Sequence, residues 1–405
     1  MNFFGGTASD PPGYEGLACL TNRMLLRGTI KRTRSDFENT IEHLGVNLIP
    51  PCGVRNLSMG GGLLRRHSRT WFELVEEALC LPRFDDEEIE RAKRELISEQ
   101  RLLLDDDAQI GRLVLKEHLF AASRYAHSAL GTAESIERIE AEHIRTYAAQ
   151  TYTQSRLLMS CSGDIESANF QQHVSKISNS MPVGEVWQLP LPPTEIKRKK
   201  VIILDKPSRS QCQVFTGQLM PGADSGSLLP LQVGALILGG TFSSRMIQEL
   251  RVEKGLCYGA YAWVGAERQC GGFFTHADVN SEKIDEAVGS LNALIDEFIV
   301  NGPTEAEFTF AQSAILKGMP FGLETASMEA AQRVRLRLLG RDSAELDRKE
   351  ASVKALTQAD VKMALNRLSK IGERVMVVVC SYTEATARKL APLIEDGDVV
   401  RVEWN

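Results

Sequence analysis

Histidine is scarce in this chain, and where it occurs it stands alone. The 405 residues hold seven histidines. No two of them fall at the spacing of H-E-x-x-H or of its inverted form, H-x-x-E-H. Glu42-His43, Glu117-His118 and Glu142-His143 each pair a carboxylate with an imidazole, but the second imidazole is missing. Cysteine is also spread thin. The eight residues at 19, 52, 80, 161, 212, 257, 270 and 380 form no C-x-x-C pair. That excludes a zinc knuckle and a dense disulfide scaffold, and leaves free thiols acting as small hydrophobes. No window of about 18 consecutive apolar residues occurs, so no membrane span is expected. The net charge of −6 gives no general attraction to nucleic acid or anionic lipid. The opening MNFFGGTASDPPG lacks a basic n-region and a long apolar h-region, so it does not read as a signal peptide. The compartment stays open: cytoplasmic, or periplasmic if a leader precedes this segment.

What remains is an ordinary globular composition, 43% hydrophobic and 25% charged. The length predicts two domains. The clearest break is PVGEVWQLPLPPTEIKRKK, residues 182–200, with four prolines and a basic end. Pro192-Pro193 continues neither a helix nor a central strand. The reading is a first domain over 1–183, a linker over 184–200 and a second domain over 201–405. The halves resemble each other. Ile136, Ile139 and Ile144 answer to Val353, Leu356 and Val361 at a constant offset of 217, each set ahead of an apolar strand. A period that long suggests two copies of one domain, not a solenoid. GGFFTHADVN, 271–280, has strand composition. EKIDEAVGSLNALIDEFIVNG, 282–302, carries an apolar helical stripe from Ile284 to Ile299 and stops at Gly302-Pro303. The fold class expected is α+β, with two homologous domains, each an antiparallel sheet covered by helices on one face.

GLACLTNRMLLRGT, residues 16–29, reads as a short helix opened by the turn Asp10–Gly13. Leu17, Leu20 and Met24 form its apolar side. Cys19, Asn22 and Arg23, at i, i+3 and i+4, share another face. A second helix is expected from about Ser35 or Asp36 to Gly45. This segment resembles the motif helix of the insulinase/pitrilysin zinc metallopeptidases, which include mitochondrial processing peptidase. In that family G-x-A-H-x-x-E-H-x-x-F-K-G-T holds zinc on two histidines, and the glutamate between them activates water. Gly16, Ala18, Gly28 and Thr29 match the frame. The chemical positions fall on Cys19, Asn22 and Arg23. The family's third ligand, a glutamate on a later helix, falls on Glu99. That residue lies on the stripe of Ile89, Ala92, Leu96 and Leu103, where burial is expected.

Those replacements exclude zinc on chemical grounds. Asn22 is no general base. Arg23 stays protonated and has no lone pair. Two unit charges about 4 Å apart interact by about 4 kcal/mol at an effective dielectric near 20. A dication beside Arg23 would feel about twice that as repulsion. Arg23 is therefore expected to take the metal's place and to pair with Glu99. No metal or other cofactor is expected in this chain. Cys19 as a nucleophile has no histidine at i+3 or i+4 to activate it.

LGGTFSSRMIQELRVEKGLCYGAYAWV, residues 238–264, reads as a turn, a helix ending at Gly255 and a strand from Tyr258. It is similar to the same family's second-domain signature, L-G-G-x-x-S-S-R-L-x-x-x-x-R-x-x-x-G-L-x-Y. By that resemblance Arg251 and Tyr258 hold the substrate backbone near the scissile carbonyl of a facing active site. Both are donors suited to a developing oxyanion. The resemblance also covers Leu130-Gly131-Thr132 and the SGDI turn at 162–165. It implies a catalytically inactive subunit of a heteromeric zinc peptidase, paired with a homologous H-x-x-E-H subunit that carries the zinc, and binding peptide in extended form. The alternative it allows is a structural core protein of a larger complex. The family usually has one or two further strands ahead of the turn at Asp10. A sheet without its first strand would carry an open edge.

Overall fold

The computed structural model describes the chain except residues 47, 49, 122, 189–199, 372, 395–397 and 404–405, with backbone only at 369–371, 392–394 and 398–403. The structure is α+β, and its residues divide into two compact units. The expected linker at 184–200 falls largely outside the described residues. Among the described residues no helix is long and apolar enough to cross a membrane.

The first unit comprises Met1–Leu104, His127–Leu191 and Thr325–Ala331. Its sheet has three antiparallel strands in the order β2-β1-β3: β1 is Asn2–Phe4, β2 is Asn56–Ser58 and β3 is Leu157–Leu158. Phe3 of the central strand is buried and meets Tyr152 edge-on at 5.0 Å, the favoured geometry for an aromatic pair. The helices Leu17–Met24 and Arg34–Leu44 bury Leu20, Met24, Phe37 and Ile41 in the same core. The second of these begins at the Thr33 cap and ends at Gly45, φ 68°, as a left-handed helix end favours.

The second unit comprises Asp105–Ala126, Pro192–Glu324 and Gln332–Asn405. Six strands lie in the order β6-β7-β5-β8-β4-β9, where β4 is Lys200–Asp205, β5 Gln211–Pro221, β6 Cys257–Ala266, β7 Cys270–Asn280, β8 Val375–Cys380 and β9 Asp398–Glu403. The helices Leu228–Gly239, Ile284–Asn301 and Gln358–Ile371 pack over one face with Val214, Ala277 and Val378. The stripe expected on the 284–301 segment is buried at all eight positions from Ile284 to Ile299.

Three features differ from the sequence reading. The Asp105–Ala126 segment belongs with the second unit, not the first. Its helix, Asp107–Leu119, lies across β5 and β8 with Leu115 and Leu119 over Gly217, so the second sheet is covered on both faces. The buried Phe215, next along β5 from Val214, gives that second face its apolar surface. Finally, the second sheet is antiparallel only from β6 to β8. The strand β4 runs parallel to β8 and to β9, and such pairings need the long helical connections that precede those two strands.

The internal repeat is visible in both units. Ala133–Glu137, Ala141–Thr151 and β3 in the first answer to Glu345–Ala355, Gln358–Ile371 and β8 in the second. Each run is helix, break, helix, strand, one helix more than the apolar pattern alone implied. Ile136, Ile139, Ile144, Val353 and Val361 are buried, and Leu356 packs against the second core.

Candidate functional site

The Leu17–Met24 helix starts at Gly16, which sits at φ 98°, a conformation that favours glycine. Asp10 caps it from the preceding turn. Its carboxylate accepts from the Gly16 N–H at 2.9 Å and the Ala18 N–H at 2.8 Å. Burial pushes the Asp10 carboxyl up to about 7 in spite of these bonds. Gly131 closes against the same entry. It sits at φ 67°, and a Cβ there would stand 1.9 Å from the Glu15 carbonyl oxygen. At the other end Thr29 is buried. Its hydroxyl donates to Glu77 and accepts from the Lys31 and Arg32 N–H groups. The motif frame that survives in this chain is thus the part that packs.

The chemical positions are occupied in a different way. Asn22 is buried and fully engaged. Its Nδ2 donates to the Pro51 carbonyl at 3.2 Å and the Ser58 carbonyl at 3.1 Å, and its Oδ1 accepts from the Tyr152 hydroxyl at 3.1 Å. Arg23 donates from Nη1 and Nη2 to both Glu99 oxygens, each at 2.6 Å. Just beyond the helix, Arg27 pairs with Glu95 in the same fork, so the helix and the turn after it make a two-rung ladder with Asp86–Asp105. Glu99 is not buried as its stripe suggested. Its side chain is 47% exposed, against 21% for Arg23, because the buried stripe of Ile89, Ala92 and Leu96 ends one turn before it. At that exposure the pair contributes about 1 kcal/mol or less. Its hydrogen bonds with Arg23 hold the Glu99 carboxyl below the usual range and push the guanidinium pKa further up.

Cys19 is buried beside Cys52, a neighbour that nothing in the local sequence announces. The neighbouring Cys52 thiol and the Arg23 charge both favour the Cys19 thiolate. Together they outweigh burial and bring Cys19 down to about 7, while Cys52 moves well up. These residues do not fit zinc. The second histidine's place holds a guanidinium, and that guanidinium is locked onto the carboxylate that would be the third ligand. Among the described residues no three His, Cys, Asp or Glu side chains come together as a metal site.

The second segment of interest lies in the second unit. Gly239 ends the Leu228–Gly239 helix against β6, where a Cβ would stand 2.4 Å from the Ala262 nitrogen. Arg245 is structural. It forks onto Glu307 at 2.6 and 2.7 Å and lies 4.9 Å over the Phe298 ring. The next helix is not α but π over Ile247–Glu253, a rare geometry that recurs at functional sites. Arg251 lies in it. Among the described residues its guanidinium is exposed and forms no hydrogen bond or ion pair. Tyr258 sits at a register shift between Cys257 and Gly259 in the β6–β7 pairing. Such a bulge re-aims a side chain, and Tyr258 is 67% exposed. The π-helix packs against β6, and the Arg251 charge acts on Cys257 at the start of that strand. Phe242 at 84% and Tyr261 at 52% exposure are the other exposed aromatics of this segment. Sequence reasoning passed over both: Tyr261 stands three residues from Tyr258, which strict strand alternation places on opposite faces, and the register shift after Cys257 exposes both tyrosines.

Residues 2–133 match the insulinase, or peptidase family M16, profile, and residues 138–315 match the peptidase M16 inactive domain. The chain belongs to the M16 family. It is 25% identical over 329 residues to the Helicobacter pylori protein named non-peptidase homolog YmxG, covering 81% of this chain and 76% of that one. It is 23% identical over 328 residues to an uncharacterized zinc protease of Mycobacterium leprae, covering 80% and 73%. A solved M16 inactive domain from Pseudomonas fluorescens has a TM-score of 0.87 over 94% of this chain and 92% of that chain, at 22% identity, a likeness of fold. Overall identity is thus nearly the same to a relative named a non-peptidase and to one named a protease. Overall identity therefore does not separate the two names for this M16 chain.

Proposed function

We propose that this M16 chain is a catalytically silent subunit of a heteromeric zinc peptidase, presenting Arg251 and Tyr258 to peptide held at the active site of a zinc-bearing H-x-x-E-H homologue. The observation that carries this reading is a contrast of engagement. Every polar group at the motif positions is used internally, while Arg251 and Tyr258 are exposed on a π-helix and a bulge. Two donors held in that way suit the carbonyl of an extended peptide and the oxyanion that develops on it. The neighbouring β6 supports the same reading. Among the described residues it pairs only with β7, so its other edge is open to strand addition. The partner supplies the metal, the water and the general base.

The test is to assemble the chain with its H-x-x-E-H homologue and measure peptide hydrolysis. Arg251→Ala and Tyr258→Phe are expected to lower kcat/KM by about 10²–10³ for the first and less for the second, with zinc content and assembly unchanged. An unchanged kcat/KM for Arg251→Ala defeats the donor role. Isolation of a stable native complex without any H-x-x-E-H subunit would favour a structural core role instead.

A further inference from the structure

The second unit contains a cavity unrelated to either region above. It lies among Leu228–Gly239, the C-terminal half of the Ala326–Leu338 helix and Glu345–Ala355. Its volume is about 180 Å³, and Leu228, Leu336, Leu339 and Leu346 supply an apolar floor. A second cavity of about 230 Å³ adjoins it, lined by Ile315, Met319 and Leu323. The two share Gln332 and Lys349. Each is smaller than the roughly 300–1,000 Å³ of drug-sized pockets, and both are open. Their joined form suits a slender chain better than a ring system.

The charge around the first cavity is positive on balance: Glu345 and Arg341 also line it but pair with each other, which leaves Lys349 and Arg335. Lys349 is half-buried, and Arg335 stands at the cavity's rim. Among the described residues neither side chain forms a hydrogen bond or an ion pair. Burial and then the Arg335 charge lower the Lys349 pKa. The carboxylates close in sequence are committed elsewhere: Glu345 to Arg341, Asp347 to Arg333 and Glu350 to Lys354. Two like charges facing a half-buried apolar space, with no counter-ion, are stabilised by an anion placed between them. Gln332 sits at the same junction, but its amide N–H is already given to the Gly322 carbonyl at 2.6 Å. The head group therefore has to be recognised by charge.

We propose that this double cavity binds an amphipathic carboxylate, a medium-chain acyl anion whose head lies between Lys349 and Arg335 and whose chain fills the leucine-lined and methionine-lined troughs. The site is independent of the peptide-binding reading and uses none of its residues. The experiment is calorimetric titration of the full chain with laurate below its micellar concentration, against dodecyltrimethylammonium, which has the same tail and the opposite charge. Saturable laurate binding is expected, at least about tenfold tighter than the cation. Arg335→Glu is expected to weaken it by about tenfold, and so is Lys349→Met. Arg335 is exposed, so its variant keeps the fold and decides the matter if Lys349→Met does not express. Absent laurate saturation, equal binding of the two tails, or unchanged affinity in Arg335→Glu each overturns the proposal.

Discussion

The Leu17–Met24 helix and the segment from Ile247 to Tyr258 both carry family positions, and they treat their polar groups in opposite ways. In the helix, Asn22 spends its amide on Pro51, Ser58 and Tyr152, and Arg23 spends its guanidinium on Glu99. In the second segment, the Arg251 guanidinium and the Tyr258 hydroxyl form no hydrogen bond or ion pair among the described residues. A polar group that satisfies a buried neighbour contributes to stability. A polar group left exposed on an irregular backbone is available to something else. The contrast separates a region converted into scaffold from one still shaped for a ligand.

The strongest way to break that comparison is to convert the helix back. Cys19→His with Arg23→His places two imidazoles at i and i+4 facing Glu99, and removes the cation that repels a metal. The double variant is expected to take up about one zinc per chain, measured by elemental analysis after dialysis, against none for the parent. Adding Asn22→Glu is expected to lower the melting temperature, because a carboxylate would meet the Pro51 and Ser58 carbonyls that Asn22 now serves. Zinc in the parent chain at a full equivalent would undo the account of this site.

Next in size is a pair of stability measurements. Asn22→Leu leaves the buried Tyr152 hydroxyl without its acceptor and takes one donor from each of the Pro51 and Ser58 carbonyls, and is expected to cost about 3 kcal/mol in chemical denaturation. Arg251→Ala, at an exposed and unpaired position, is expected to change stability by less than about 0.5 kcal/mol. If the two cost the same, the distinction between scaffold and presented surface is lost.

The smallest effect concerns Arg23 alone. Arg23→Gln removes a half-exposed ion pair and is expected to cost no more than about 1 kcal/mol. It also removes the cation near Cys19. Less positive charge disfavours the thiolate, so the midpoint of thiolate absorbance, expected at about 7 in the parent, moves upward. Cys19→Ser should abolish that transition. A midpoint that stays in place in Arg23→Gln means that Cys52 alone sets it.

How much of this was legible in the sequence depended on range. The 284–301 stripe was legible because a 3.6-residue period repeats in one short window. The Arg23–Glu99 pair was legible because opposite charges at the positions of a metal and its ligand leave few arrangements. Glu99's exposure was not, since its stripe covers only part of a long helix. The approach of Cys52 to Cys19 joins residues from separate segments, and single-chain patterning carries no such contact. The Asp107–Leu119 helix reads as a continuation of the first half until its long-range packing on β5 is seen. The π-helix over Ile247–Glu253 buries only Ile247 and Leu250, a spacing that an α-helix would show as well, so the geometry around Arg251 was invisible too.

That π-helix has a consequence for how the segment tolerates change in length. A π turn is an α-helix holding one surplus residue. Deleting one residue between Ile247 and Leu250 would remove that surplus and return the segment to α geometry with its flanking residues in register. The Arg251 guanidinium would keep its side of the helix, whereas the same loss from a plain α-helix would rotate everything beyond it by about 100°. The segment that aims the arginine therefore holds one residue of slack in length, and none in direction.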